Sequence, residues 1–205
     1  MRINKEEHLK QPWRVHRLLP DLRIEDVWEL PVEMDDHQGV GELYHTFVKA
    51  MEKTATTGAA GALFRLRFFL GRVFGWEDKE KAKDKFPEGS IRARYAEQER
   101  LTRLEMSYPA FGDFVPVYDL REEMLAEIEN ETVLAAAHFG RVLQANGKYG
   151  AQMTIYVKPK GWFGGFYMAL IKPFRLMIVY PAMLAMIGRQ WNKYQQELTA
   201  PIAVH

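Results

Sequence analysis

The 205-residue chain contains no cysteine. That absence removes disulfides, thiolate-ligated zinc and a thiol nucleophile together, and it fits a reducing, cytoplasmic location. Charge of one sign is missing too: 28 Lys and Arg stand against 27 Asp and Glu, so no summed field draws the chain toward phosphates and no nucleic-acid partner is expected. The glycines around Gly58 and Gly164 have neither the Lys-Ser/Thr ending of a phosphate loop nor the strand-to-helix G-x-G-x-x-G pattern, and no cofactor is expected. His37 and His45 do not have a zinc-ligand spacing, so no metal is expected either; Asp35 and Asp36 beside them read as helix caps. The opening MRINKEEHLKQPWRVH lacks the apolar stretch of a secretory signal. The greasiest window, Trp162 to Gly188, is interrupted by Lys172 and Arg175, which together would cost about 5 to 7 kcal/mol in a bilayer, so a membrane span is not expected.

What is present is 47% hydrophobic residues in a chain of single-domain size, read as one domain over 1–205. Ile24, Val27, Trp28 and Leu30 suit a first strand ending at Pro31. Val40, Leu43, Phe47 and Met51 recur at helical spacing and predict a helix over 38–53. A second helix, 58–76, combines Leu63, Leu66, Leu70, Val73 and Phe74 with Arg65, Arg67 and Arg72. Phe64, Phe68 and Phe69 widen its apolar face, which suits packing against a cavity and also leaves open a peripheral membrane contact. Residues 77–106 form a charged connector, expected to be mobile in its first part and helical and polar from Ser90 to Met106. Strands are expected over 111–118, 131–143 and 149–158, the last two joined at Asn146-Gly147; 120–131 reads as either a short helix or a strand. The chain then enters a terminal helix, 164–191, apolar nearly all round and interrupted by Pro173 and Pro181.

An almost wholly apolar helix must be enclosed. An antiparallel sheet curving around it, with the two shorter helices closing one end, does this and leaves space beside the helix for a ligand. The segments PWRVHRLLPDLRIEDVWELPV, LFRLRFFLGRVFGW, NETVLAAAHFGRV, YGAQMTIYVKPKG and FYMALIKPFRLMIVYPAMLAMIGRQW resemble the domain-of-unknown-function family numbered 2867, within the START-like, SRPBCC superfamily. The resemblance runs from Pro12 to Trp191 and fades between Glu77 and Met106. It implies an α+β helix-grip fold. The superfamily includes lipid carriers, hormone receptors, polyketide cyclases and hydroxylase domains, and it implies no catalytic residue for this chain.

The expected function is therefore to hold an apolar small molecule, such as a lipid, a fatty acyl or a polyketide-like compound, between sheet and terminal helix. His138, set among Ala135, Ala136, Ala137 and Phe139, is the candidate polar group of the cavity wall, joined by Tyr118 and Met153 from neighbouring strands. Tyr167, Arg175 and Tyr180 are the candidates from the helix, with Arg175 a possible anion anchor near the Pro173 bend. The alternatives are a cyclase- or hydrolase-like enzyme using the same cavity, and an interaction module docking through 58–76. Glu122, Glu123, Glu127, Glu129 and Glu131 read as a solvated edge.

Overall fold

The computed structural model describes residues 1–54, 88–101, 114–129, 133–161, 172–173 and 175–199. Its centre is a five-stranded, curved, open antiparallel sheet in the order β1-β5-β4-β3-β2. The strands are β1 (Arg23–Met34), β2 (Val115–Asp119), β3 (Glu123–Glu129), β4 (Val133–Leu143) and β5 (Tyr149–Pro159). β2 to β5 form a meander, and β1 returns from the N-terminal end to pair with β5. The β4–β5 ladder is uninterrupted from Val133↔Pro159 to Leu143↔Tyr149, closed at Gly147, whose φ of 78° suits glycine. Pro31 does not end β1, contrary to expectation, because β1 is an edge strand where a missing N–H costs no ladder bond; Pro116 lies in the other edge strand for the same reason. The stretch that could have been helix or strand is the strand β3.

Among the described residues the sheet is accompanied by α1 (Lys5–Leu9), α2 (Val15–Leu18), α3 (Val40–Thr54), α4 (Ile91–Gln98), a π-helical turn Arg175–Val179 and α5 (Tyr180–Thr199). Asn4 caps α1 and Ser90 caps α4, each side chain accepting from an amide of the first turn. α4 stops well short of Met106: Arg100 turns to φ 53° and Leu101 N donates back to Ala96 O at 2.8 Å. The expected helix 58–76 and the connector 77–87 lie outside the described residues.

Strand alternation sends side chains to two faces, and both are covered. On one face Leu30, Val32 and Met34 of β1, Met124 and Ala126 of β3, Ala137 and Phe139 of β4, and Ala151 and Met153 of β5 pack with α3 and α5. On the other, Leu125, Leu134, Ala136 and Tyr156 pack under α1, α2 and α4, with Trp13, Leu18, Leu19, Ile91 and Tyr95. α5 runs along the β1 edge: Tyr180 meets Trp28 at 5.0 Å between ring centroids, Gly188 allows close approach to Pro31, and Trp191 Nε1 donates to Glu33 O at 2.7 Å. The described part of the terminal helix is therefore amphipathic, not enclosed all round. Only Tyr180, Met186, Ile187, Gly188 and Trp191 are buried along α5, Met177 just before it is 77% exposed, and the helix continues past Trp191 to Thr199. No helix among the described residues is long and apolar enough to cross a membrane.

Candidate functional site

The densest chemistry lies on the α1/α2 face. His138 follows Ala137 and precedes Phe139, both of which face α3 and α5, so alternation turns the imidazole to the opposite side, where it is fully buried. There it meets Trp13 at 4.9 Å and His8 at 5.4 Å between ring centroids, and His8 meets His16 at 4.9 Å. Glu123 of β3 is the anchor of the group. One carboxylate oxygen accepts from Arg14 N at 2.6 Å; the other accepts from Tyr118 OH at 2.8 Å, His138 Nε2 at 3.1 Å and Val15 N at 3.3 Å. Those two amides begin α2, so the buried charge serves the open N-terminal donors of a short helix. Glu127, four residues along the same strand, does likewise for α4, accepting from Ile91 N at 2.6 Å and Arg92 Nε at 2.5 Å. The expected solvated edge is thus corrected: Glu123 and Glu127 are 4% and 3% exposed, because each holds a helix onto the sheet.

The hydrogen bonds suit neutral histidines. With His138 Nε2–H donating to Glu123, Nδ1 is a buried nitrogen without a partner, and a second proton there would have no acceptor. His8 Nε2 lies 2.6 Å from Tyr156 OH and its Nδ1 3.0 Å from Thr154 Oγ1, while Tyr156 OH also lies 3.3 Å from His16 Nδ1. One tautomer set connects them: His16 Nδ1–H donates to Tyr156, whose hydroxyl donates to His8 Nε2, and His8 Nδ1–H donates to Thr154. Burial, then repulsion from His138 and His16, lowers the pKa of His8 to about 3. Burial also lowers that of His138, although Glu123 opposes it. Burial works against the Glu123 carboxylate, but the bonds from His138, Arg14 and Tyr118 hold its pKa below the ordinary value. A carboxylate with neutral imidazoles is the state both partners favour. Among the described residues no three His, Asp or Glu side chains are arranged to hold a metal ion.

A second polar group lies at the β1 edge on the α5 face. A register irregularity between Ile24 and Asp26 brings Glu25 and Asp26 together there. Asp26, with no exposure, accepts from Arg2 at 3.1 Å, Arg175 at 3.1 Å and Tyr180 OH at 3.2 Å. Glu25 pairs with Arg175 at 3.0 Å, Arg23 at 3.3 Å and Lys172 at 3.6 Å. The π-helical turn begins at Arg175, between Pro173 and Pro181.

The sequence candidates therefore divide. Met153 and Tyr180 face α3 and α5, and Arg175 joins Tyr180 at Asp26. His138 and Tyr118 are together at Glu123 on the other face, and Tyr167 lies outside the described residues. Sequence reasoning missed His8, Trp13, His16, Asp26 and Tyr156. An HxxxPWxxH segment followed by an Asp inside a strand pattern was the available signal.

No curated protein and no solved structure matches the chain. A family model described as a protein of unknown function, DUF2867, matches residues 18–182, and on that match, which takes in the whole sheet and the start of α5, the chain belongs to this family.

Proposed function

We propose that the protein holds an apolar small molecule, of the lipid, fatty acyl or polyketide-like class, between the helix-facing side of the sheet and the segment leading into α5, in a START-like helix-grip arrangement. The carrying observation is a patch of small side chains on that side. Ala126 lies opposite Ala137, which lies opposite Ile155; Ala135 lies between Ile128 and Val157; Ala151 lies opposite Leu30. Methyl groups at adjacent strand positions keep the sheet surface low where larger side chains would fill it, and an apolar ligand there gains about 25 cal/mol per Å² removed from water. The order β1-β5-β4-β3-β2 with α5 packed along β1 supports the helix-grip reading. Arg175, Tyr180 and Asp26 stand at the edge of this face as its polar boundary. The Glu123–His138 pair faces away from it, so the reading assigns no catalytic residue.

The test is binding of an apolar fluorescent dye and its displacement by fatty acids of increasing chain length, with any co-purifying ligand identified by native mass spectrometry. Ala137→Leu, which fills the patch, is expected to weaken dye binding at least tenfold. His138→Ala, on the other face, is expected to change it less than threefold. No saturable binding, or equal effects of the two substitutions, would overturn the proposal.

A further inference from the structure

The N-terminal residues 1–22 lie across the sheet as a strap. Residues 1–3 run beside β1, with Ile3 N donating to Val27 O at 3.1 Å, Glu29 N donating to Met1 O at 2.7 Å, and Arg2 bridged to Trp28. α1 and α2 then cover the face carrying His138. The middle of the strap is pinned by imidazoles and the carboxylate that holds one: His8 to Thr154 and Tyr156, His16 to Tyr156, and the Arg14 and Val15 amides to Glu123, while its two ends are held by exposed or part-buried pairs, Arg2 with Asp26 and Asp21 with Arg94 and Lys158. Three of the chain's six histidines are gathered here, within 5.4 Å of His8 between ring centroids. We infer that the strap is a pH-operated latch: proton uptake by the buried His8–His138 pair lifts residues 1–22 from the sheet while the β3–β4–β5 ladder stays folded.

The geometry gives the direction. Each element around the cluster has a titratable or charged group: His8 on α1, Arg14 and His16 beside or on α2, Tyr95 on α4, Tyr118 on β2, Glu123 on β3, His138 on β4 and Tyr156 on β5. Arg14 is turned outward to Glu99 at 2.8 Å. Among the described residues Glu123 is the carboxylate that acts on both His8 and His138, and it already accepts four donors. It can offset one imidazolium but not two within a ring's width of each other. Lifting the strap hydrates His8 and leaves His138 with Glu123, so the released state takes up a proton that the latched state refuses.

The sign follows from linkage. The latched pKa of His8 is lowered to about 3 from an ordinary 6.5, so latching is complete above the ordinary value and is lost as pH falls below it. Between pH 7 and pH 5 this group alone raises the open-to-closed ratio roughly 25-fold, and His138 acts in the same direction. The ladder is held by backbone bonds between β3, β4 and β5, and of the three clustered histidines only His138 lies on it.

Hydrogen exchange, corrected for the intrinsic pH dependence of each amide, tests this on the full chain. From pH 7 to pH 5 the Lys10, Leu18 and Leu19 amides are expected to lose protection at least 25-fold, while Ala137 and Ile155 keep theirs. His8→Gln with His138→Gln, which keep hydrogen-bonding side chains without titration, should flatten the strap's pH dependence. If that variant does not fold, histidine ¹⁵N shifts of the wild type decide the matter: the imidazoles should protonate only together with strap release. Protection of the strap that does not change with pH, loss of strap and ladder together, or histidines titrating near 6.5 with the strap still protected would each overturn the latch.

Discussion

Gly140→Ala is the sharpest test of how the strap is seated. Gly140 follows His138 by two positions on β4, so both face the strap, and Trp13 lies directly over the glycine. A Cβ at 140 would come within 2.5 Å of Trp13 Cε2 and 2.7 Å of Cη2, with Cζ2 nearer still, where about 3.5 to 4 Å is the normal carbon separation. The indole must therefore move by an ångström or more. It is 6% exposed and wedged against His8 and His138, so movement means leaving its slot. Complete loss of an indole's burial, about 150 to 250 Å², would cost about 4 to 6 kcal/mol. Partial repacking reduces that toward the usual 1 to 3 kcal/mol of overpacking, and the better strand propensity of alanine returns about 0.5 to 1 kcal/mol. The expected net loss is about 2 to 4 kcal/mol in urea unfolding, accompanied by a red shift of tryptophan emission. Gly150→Ala is the control. Its new methyl would meet the far end of the Gln144 side chain, 3.1 Å from Cδ, which can swing aside, so a change below about 1 kcal/mol is expected. Equal stability of Gly140→Ala and wild type, or equal losses for the two variants, would refute the packing argument.

Two further outcomes follow from the buried carboxylates. Asp26→Ala removes the shared acceptor of Arg2, Arg175 and Tyr180 and is expected to destabilise the protein by about 3 to 5 kcal/mol, read as a lower urea midpoint with unchanged slope. Glu127→Gln keeps the shape but loses the charge facing Arg92, whose guanidinium is 12% exposed; a loss of about 2 to 3 kcal/mol is expected, with exchange protection falling first in α4. An α4 as protected as in the wild type would show that Glu127 does not hold it.

Much of the architecture was legible because its elements are long enough to show a period. α3 and the β4–β5 hairpin were read within a residue or two of their ends, since apolar recurrence and Asn146-Gly147 are local signals. β3 was ambiguous for a physical reason. Met124, Leu125 and Ala126 are consecutive and apolar because both faces of the strand are buried, while Glu123 and Glu127 mimic a helical i, i+4 pair. Those glutamates looked solvated because sequence carries no sign of the two helix N-termini that fold back onto them. α1 and α2, at five and four residues, are too short for periodicity, so no element was expected before the first strand. For His138 the alternation with Ala137 and Phe139 was visible. Which face the terminal helix would take was not, and that decides whether the imidazole looks toward that helix or at the strap.

The two faces are closed by different means, and this bears on where the proposed ligand would go. On the strap side a large aromatic ring and a set of hydrogen bonds fix each element in place, and a molecule entering there would have to break bonds to Glu123 or Tyr156 to gain room. On the helix side the strand residues are mostly apolar, alanine, methionine, isoleucine, valine and leucine together with Trp28, Phe139 and Tyr149, and their contacts are largely without direction. The faces meet at β1, where Asp26 accepts both from Arg2 of the strap and from Arg175 and Tyr180 at the start of the terminal helix. Lifting the strap withdraws one of these donors and leaves Asp26 more strongly committed to the other two. Asp26 thus ties the strap to the start of the terminal helix, and strap release can reach the helix side through this carboxylate.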